Sequence, residues 1–533
     1  MKPIWLTEAT ILLVSVNLFG APPAVQDVVV YGGTAAGVTA AVQAARMGKR
    51  VVLVAPEKHV GGISVEGLGG SDIDNHDFRN STAVGGLALE FYTRVGQKYG
   101  KQNPVWRFEP HVAEAVFDDL LEQNHVPVFR GRRLKEPLAS SVLWAAEKQL
   151  KSIVTETGEV YSGRQFIDAS IEGDLLYAAG VETVIGREAN SKYGETKNGI
   201  RGENDYRQFA VRVDPYRVPG VPASGLIATI QDEELGVPGS GDARVQGYCF
   251  RLCLTRRPEN RLVIGKPAHY DPAQYEIYRR YVKAGGQLFV PQENVPNGKT
   301  DLGSWHDLSA NLYGMNAAYP GGSYAVRAQV YQQHLEFTWG LLYFLAHDAG
   351  LPESVRAAWR DWGLCQDEFT DNGGWPRQVY VRDARRMVSD YVLTEWNTRR
   401  VNAPLVEDAV AVAYWPPDLH HARRIVKDGA AYNEGFVFGG QEWGPFSIPY
   451  RALTPRRGEA RNLLAASCPS SSHVAYGAVR LEWTFMALGQ AAGAAAALAD
   501  GAVQDVRYPK LRRVLVEAGA VVSVQGVTGL AGR

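Results

Sequence analysis

The sequence predicts an α/β fold: a parallel nucleotide-binding sheet with a β-meander, split by an inserted α+β domain. Three observations carry this reading. Val28-Val29-Val30-Tyr31 is a short apolar run followed by glycines and an alanine-rich stretch. Residues 195–445 contain no repeat of that strand–turn–helix pattern. The pattern returns after Ile448-Pro449-Tyr450, in strand-like Asn462–Ala465 and the small-residue helix Gly489–Leu498. A chain of 533 residues also suits two joined domains better than one core.

The elements follow in order. Residues 1–24 resemble a secretory signal: Lys2, an apolar run from Ala9 to Phe19, then Gly20-Ala21-Pro22-Pro23. Such a run is too short to span a bilayer comfortably, and a periplasmic or secreted location is expected, or a cytoplasmic one if the segment is not a signal. From Asp27 the apolar run reads as a buried parallel strand. Val38–Met47 reads as a helix ended by Gly48, and Val51–Ala55 as a second strand. A helix is expected near 111–124, with Val112, Val116, Leu120 and Leu121 on one face. Alternating strands through 126–167 form the expected meander, returning at Phe166-Ile167-Asp168. The nucleotide domain is therefore predicted over 25–194 and 446–505, the inserted substrate domain over 195–445, and a C-terminal extension over 506–533. A long aromatic helix is predicted at 323–348.

Composition excludes several classes. Hydrophobic residues make up 45% and charged residues 21%, with a net charge of −1; no global field recruits nucleic acid or an anionic membrane. The four cysteines, Cys249, Cys253, Cys365 and Cys468, include no C-x-x-C, and histidines do not cluster at metal spacing, so no zinc site is expected. Cys249 and Cys253, four apart, read as buried thiols.

The turn Gly32-Gly33-Thr34-Ala35-Ala36-Gly37 carries the chemistry. Gly32 allows the tight strand-to-helix turn, Gly37 lets the helix lie close to the sheet, and the helix N-terminus offers unpaired amides to a pyrophosphate. Thr34 stands where a second glycine is usual. Ala55 stands where an acid usually grips the ribose, so Glu57, two residues on, or backbone groups take that part. The ligand expected is FAD: Gly61 and Gly62, in His59-Val60-Gly61-Gly62, fall where a glycine pair runs beneath an extended cofactor. A second helix N-terminus near Gly489 is expected at its far end.

On these residues the sequence resembles the FAD-dependent oxidoreductase family, related in fold to glutathione reductase and fumarate reductase flavoproteins, in a branch sometimes labelled xanthan lyase. The likeness also rests on Ala83–Tyr92, Phe108–His111, Ile167–Asp174, Gly186–Ala189, Phe250–Thr255, Tyr380–Met387 and Ser471–Glu482. It implies an FAD-binding Rossmann-like domain of glutathione-reductase type, with Asp168 among the cofactor contacts. The branch's Tyr-x-x-Asp-Ser-His element here reads Trp415-Pro416-Pro417-Asp418-Leu419-His420. A changed substrate is expected.

Catalysis needs a proton donor or acceptor beside the flavin. His473 is the first candidate, in the stretch 470–489 expected near the isoalloxazine. Arg382, read as sharing a helix with Arg385 and Arg386, offers a guanidinium to a carboxylate or hydroxyls, against a reading of surface ion pairs. Asp418 with His420 offers a carboxylate–histidine pair. Arg480 and Glu482 are expected to buttress the C-terminal helix. The predicted activity is hydride transfer between flavin and a small polar substrate, a sugar or sugar acid, with an electron acceptor that the sequence does not name. A carbohydrate lyase or isomerase, or a non-catalytic nucleotide-fold binding protein, are the alternatives.

Overall fold

Val28 to Tyr31 are fully buried, which is why an apolar run without polar alternation becomes a central strand. The computed structural model describes residues 25–74, 79–203, 207–304, 307–439 and 442–527; the signal-like segment 1–24 lies outside the described residues. Strand β1 (Gln26–Tyr31), helix α1 (Ala35–Arg46) and strand β2 (Val51–Val54) form the crossover, with Val28 opposite Val51 in a parallel pair. Helices α2 (Gly86–Lys98) and α3 (Pro110–Gln123) precede strand β3 (Val128–Phe129), which joins β2 in parallel.

The meander is made by β4 (Val142–Ala146), β5 (Gln149–Val154) and β6 (Val160–Asp168), each antiparallel to the next. Strand β6 is shared. Its first residues pair with β5, while Gly163–Asp168 run parallel to β1. The chain leaves this sheet for nearly three hundred residues and returns as β7 (Leu463–Ala465), parallel to β6 with Ala465 opposite Asp168. The parallel order is thus β3-β2-β1-β6-β7, with the meander hung from β6.

Between β6 and β7 the chain builds a second apolar cluster around helix α4 (Tyr324–His347), including Phe250, Tyr275, Leu341, Phe344 and Trp359. Strand Ala409–Ala413, expected within the insertion, pairs instead with Phe446–Pro449 and packs in the core of the sheet domain. After β7 come α5 (His473–Val479), α6 (Glu482–Leu498) and α7 (Tyr508–Glu517), and Leu511 and Leu515 of α7 join the same core. Among the described residues no helix is long and apolar enough to cross a membrane.

One expected element is absent. Tyr380–Met387 is extended, not helical, and ends in the short strand Arg386–Met387 paired with Thr183–Val184. The amide of Tyr380 donates to the carbonyl of Cys249 at 2.8 Å, so the backbone bonds across the fold instead of within a helix. All three arginines of this stretch are buried. Arg385 pairs with Asp174 at 2.8 Å and Arg386 with Glu188 at 2.9 Å, which replaces the expected surface ion pairs.

Candidate functional site

The turn between β1 and α1 explains its own departures from the usual glycine pattern. Thr34 caps α1: its Oγ1 accepts from the Gly37 amide at 3.2 Å and donates to the Ala169 carbonyl at 2.7 Å. The hydroxyl ties the turn to β6, which a glycine cannot do. A Cβ on Gly37 would lie 2.0 Å from the Gly32 carbonyl oxygen. Gly32 has φ 113° and sits against the Ala169–Ser170 backbone. The amides of the first turn, Ala35 and Ala36, have no intrahelical acceptor and are the donors an anion takes.

Glu57, two residues past Ala55, reaches back to the glycine turn. Its Oε2 accepts from the Gly33 amide at 2.9 Å. Burial, aided by the charge of Glu172, pushes its carboxyl up to about 7. Gly61 donates to the Gly33 carbonyl at 2.6 Å, so the pair Gly61-Gly62 lies directly on the turn.

From here a cleft runs along the molecule. Its wider part, about 470 Å³, is lined by Glu57, Arg133, Tyr324 and Arg327 among others. A narrower part runs past Thr34 and Gly62 to Tyr380, Arg480, Glu482 and Phe485. Glu57, Gln378 and Val379 line both, so the two parts adjoin, and residues of the first crossover and of the C-terminal segment line them.

The channel's far end is held by charges. Arg480 donates to the Tyr380 hydroxyl at 2.8 Å and lies 3.2 Å from the Asp418 carboxylate. Burial drives the Glu482 carboxyl up to about 8. Arg382 stacks over the Tyr380 ring at 4.8 Å and donates to Ser304 Oγ at 2.9 Å, to Cys249 Sγ at 3.2 Å and to the Gly247 carbonyl. Its Nε has no acceptor, and no carboxylate pairs with it among the described residues. His420 lies 3.8 Å from Asp418. Burial first, then the charges of Arg382 and Arg480, hold its pKa well below the ordinary value, so the ring is neutral near neutral pH.

The Glu482 proton sets a pH dependence for the protein without FAD. The unfolded chain loses it near 4.5 and the folded chain near 8. Between those values the folded state holds one proton more, and stability falls as pH rises. Glu482→Gln is expected to flatten this fall, measured as urea midpoints at about pH 5 and about pH 8; an unchanged slope assigns the proton elsewhere.

The expected site residues divide accordingly. Gly32, Gly33, Thr34, Ala35, Gly37, Glu57, Gly61 and Gly62 meet at the turn, and Arg382, Asp418 and His420 gather behind Tyr380 and Arg480 without lining either part of the channel themselves. Three residues fall elsewhere. Gly489 is mid-helix in α6, where a Cβ would lie 2.1 Å from the Ala36 carbonyl; it lets α6 press on α1, and the helix N-terminus that borders the channel is at Glu482. Asp168 turns away from the channel: its carboxylate accepts from Ser170 N, Ser170 Oγ and Leu176 N at 2.7–2.9 Å, shaping the chain after β6. His473 lies behind the wall and lines neither part of the channel. Its Nδ1 is 3.0 Å from Asp383. Asp383 in turn accepts from the Gln246 amide at 3.0 Å, and Gln246 Oε1 accepts from the His420 amide at 2.9 Å.

Lining residues not foreseen as functional include Gln378, Tyr380, Arg480 and Glu482. Three of the four stood in the stretches 380–387 and 471–482, where alternation of charge with Val and Tyr was the available signal. His59, beside the glycine pair, is held by Glu114 at 2.6 Å and Asp371 at 3.0 Å. Glu109, His111 and Glu368 come together with the spacing of a metal site. The Lys299 ammonium sits among them, 2.7 Å from Glu109 and 2.6 Å from Glu368, and supplies the positive charge itself.

A parallel sheet with a capped glycine turn and an alanine-rich crossover helix forms a nucleotide-binding fold. The chain belongs to the FAD dependent oxidoreductase family, whose model matches residues 27–515. FAD is therefore its cofactor, and the half-buried Glu57, the first-turn amides of α1 and the glycine pair Gly61-Gly62 fit it. No curated protein matches the sequence. Among solved structures, L-proline dehydrogenase from P. horikoshii is 15% identical with a TM-score of 0.24, covering 32% of this chain and 59% of that one. L-amino acid deaminase from Proteus vulgaris is 16% identical, TM-score 0.24, over 32% and 60%. The 3-ketosteroid-Δ4-(5α)-dehydrogenase from Rhodococcus jostii RHA1 is 14% identical, TM-score 0.20, over 29% and 47%. The chain thus spans from about half to three-fifths of the length of these three.

Proposed function

We propose that the protein transfers a hydride between FAD and a small polar substrate bearing a carboxylate, of the sugar-acid class. The observation that carries this is Arg382: a guanidinium 1% exposed, bonded only to neutral acceptors, beside the channel wall. A buried cation without a counter-charge is costly, and a substrate carboxylate supplies that charge. FAD, when bound, accepts or supplies the hydride.

The chain's own groups then divide the work. The α1 amides and Glu57 hold the pyrophosphate and ribose. Arg382 orients the carboxylate. His420, uncharged and 3.8 Å from Asp418, is the group we assign to take the proton from a substrate hydroxyl during oxidation. His473, expected to do this itself, acts through Asp383 and Gln246 to fix the His420 backbone. It is a positioning residue. The strand order with a meander supports a glutathione-reductase type of domain, and the separate cluster around α4 supports an inserted substrate domain within 195–445. An exported location is part of the same proposal, resting on Lys2 and the apolar run Ala9–Phe19; finding the protein in the cytosolic fraction of its cells would count against it.

Anaerobic absorbance tests the activity. Bleaching of the flavin by sugar acids, and not by the matching neutral sugars, is the expected result. Bleaching by neutral sugars alone removes Arg382 from recognition. Product formed without net flavin reduction moves the reading to a lyase or isomerase.

A further inference from the structure

Cys253 and Cys365 stand opposite each other across one antiparallel strand pair. Leu254 faces Leu364 and Thr255 faces Gly363, so the next step of the register sets Cys253 against Cys365. The Cys365 amide lies 3.3 Å from the Cys253 carbonyl, to which it donates. The two Sγ atoms are 3.7 Å apart. Directly opposed, hydrogen-bonded residues of an antiparallel pair have Cα atoms about 5.5 Å apart, inside the range a disulfide accepts. Both side chains leave the same face and meet beneath Phe369. Bringing the sulfurs to bonding distance, about 2.05 Å, needs a small change of side-chain torsion and no new strand arrangement.

The other two thiols are engaged elsewhere. Cys249 Sγ accepts from Arg382 at 3.2 Å, and Cys468 Sγ donates to the Ser170 carbonyl at 3.2 Å. Four cysteines are buried, and sulfur meets sulfur at one place among the described residues.

We propose that Cys253 and Cys365 are joined in a disulfide when the chain folds in the presence of a disulfide oxidant. The step is a thiol–disulfide exchange. One cysteine, as thiolate, attacks a sulfur of the oxidant and expels one thiol; the second cysteine then attacks the mixed disulfide and expels the other. The chain loses two protons and two electrons, and the oxidant's disulfide becomes two thiols. Burial pushes the Cys253 thiol well up, which leaves little thiolate in the folded protein, so the bond forms while the strands assemble. Once made, it links residues 112 apart and fixes the start of the segment that carries Gln378, Tyr380 and Arg382 to the channel.

The test uses the full-length, FAD-loaded protein produced in an oxidising host compartment and denatured without reductant. Two titratable thiols in place of four, and a protease-derived peptide linking Cys253 to Cys365, are expected. Cys365→Ser, which touches no part of the flavin channel, should give three thiols. Four thiols in the unchanged chain, or a crosslink that includes Cys249 or Cys468, overturns the assignment. These readouts do not depend on any substrate, so the disulfide and the proposed activity stand or fall separately.

Discussion

Arg382→Ala lowers kcat/KM for the acid substrate by roughly 30-fold to several thousand-fold while the flavin stays bound. The magnitude follows from what the residue faces. Its described acceptors are the Gly247 carbonyl, Cys249 Sγ and Ser304 Oγ, none of them charged. Removing one side of a buried, hydrogen-bonded charge pair costs about 2–5 kcal/mol, which is the stated range in rate. Lysine at this position keeps the charge but loses the fork of donors and the flat stacking on Tyr380, so it restores a part only. The loss should appear mainly in KM, and chemical reduction of the flavin by dithionite should be unaffected. Wild-type kinetics in Arg382→Ala would place the substrate elsewhere.

The second large effect concerns the cofactor. Gly37→Ala is expected to weaken FAD binding by roughly 100-fold, or to yield protein without visible flavin absorbance. The added methyl would meet the Gly32 carbonyl oxygen at 2.0 Å and the Ala169 side chain at 3.3 Å. Gly32 lies in the β1–α1 turn and Ala169 directly follows β6, so no flexible side chain can yield. Overpacking of this kind costs about 1–3 kcal/mol, the upper end being roughly 100-fold in Kd. Gly48→Ala is the control. A Cβ there meets nothing within 4 Å, although φ is 77°, and the variant should lose about 1 kcal/mol of stability yet keep its flavin. Equal retention of FAD by both variants would remove the turn from cofactor binding.

The halves of the site differed in how far the sequence disclosed them. The crossover was legible because its signals are local: an apolar run, a glycine turn and an alanine-rich helix lie within thirty residues. Glu57 lay in the same stretch, three positions past the end of β2. The arginine cluster was not, since Arg382, Arg385 and Arg386 take their partners from Gly247, Asp174 and Glu188, far away in the chain. Charges three and four apart suggested a helix where cross-strand bonds make an extended segment. Gly489 misled for a related reason. Glycine marks helix ends in isolation, but here it marks the closest approach of two helices, and the end itself lies at Leu481–Glu482. Cysteine spacing read Cys249 and Cys253 as buried thiols and gave no partner, whereas strand register sets Cys253 against Cys365.

The packing of α6 on α1 also sets an order of assembly. Thr39 Oγ1 donates to the Met486 carbonyl across 447 positions of chain, and Gly489 and Gly493 nest on Ala36 and Ala40. A polypeptide emerging from the ribosome thus carries its nucleotide turn uncovered until α6, more than four hundred residues later, has been made. Its apolar strands must wait, shielded by chaperones or by their own early neighbours, for a lid that is synthesised much later. Chains terminated before α6 should reach quality control without colour.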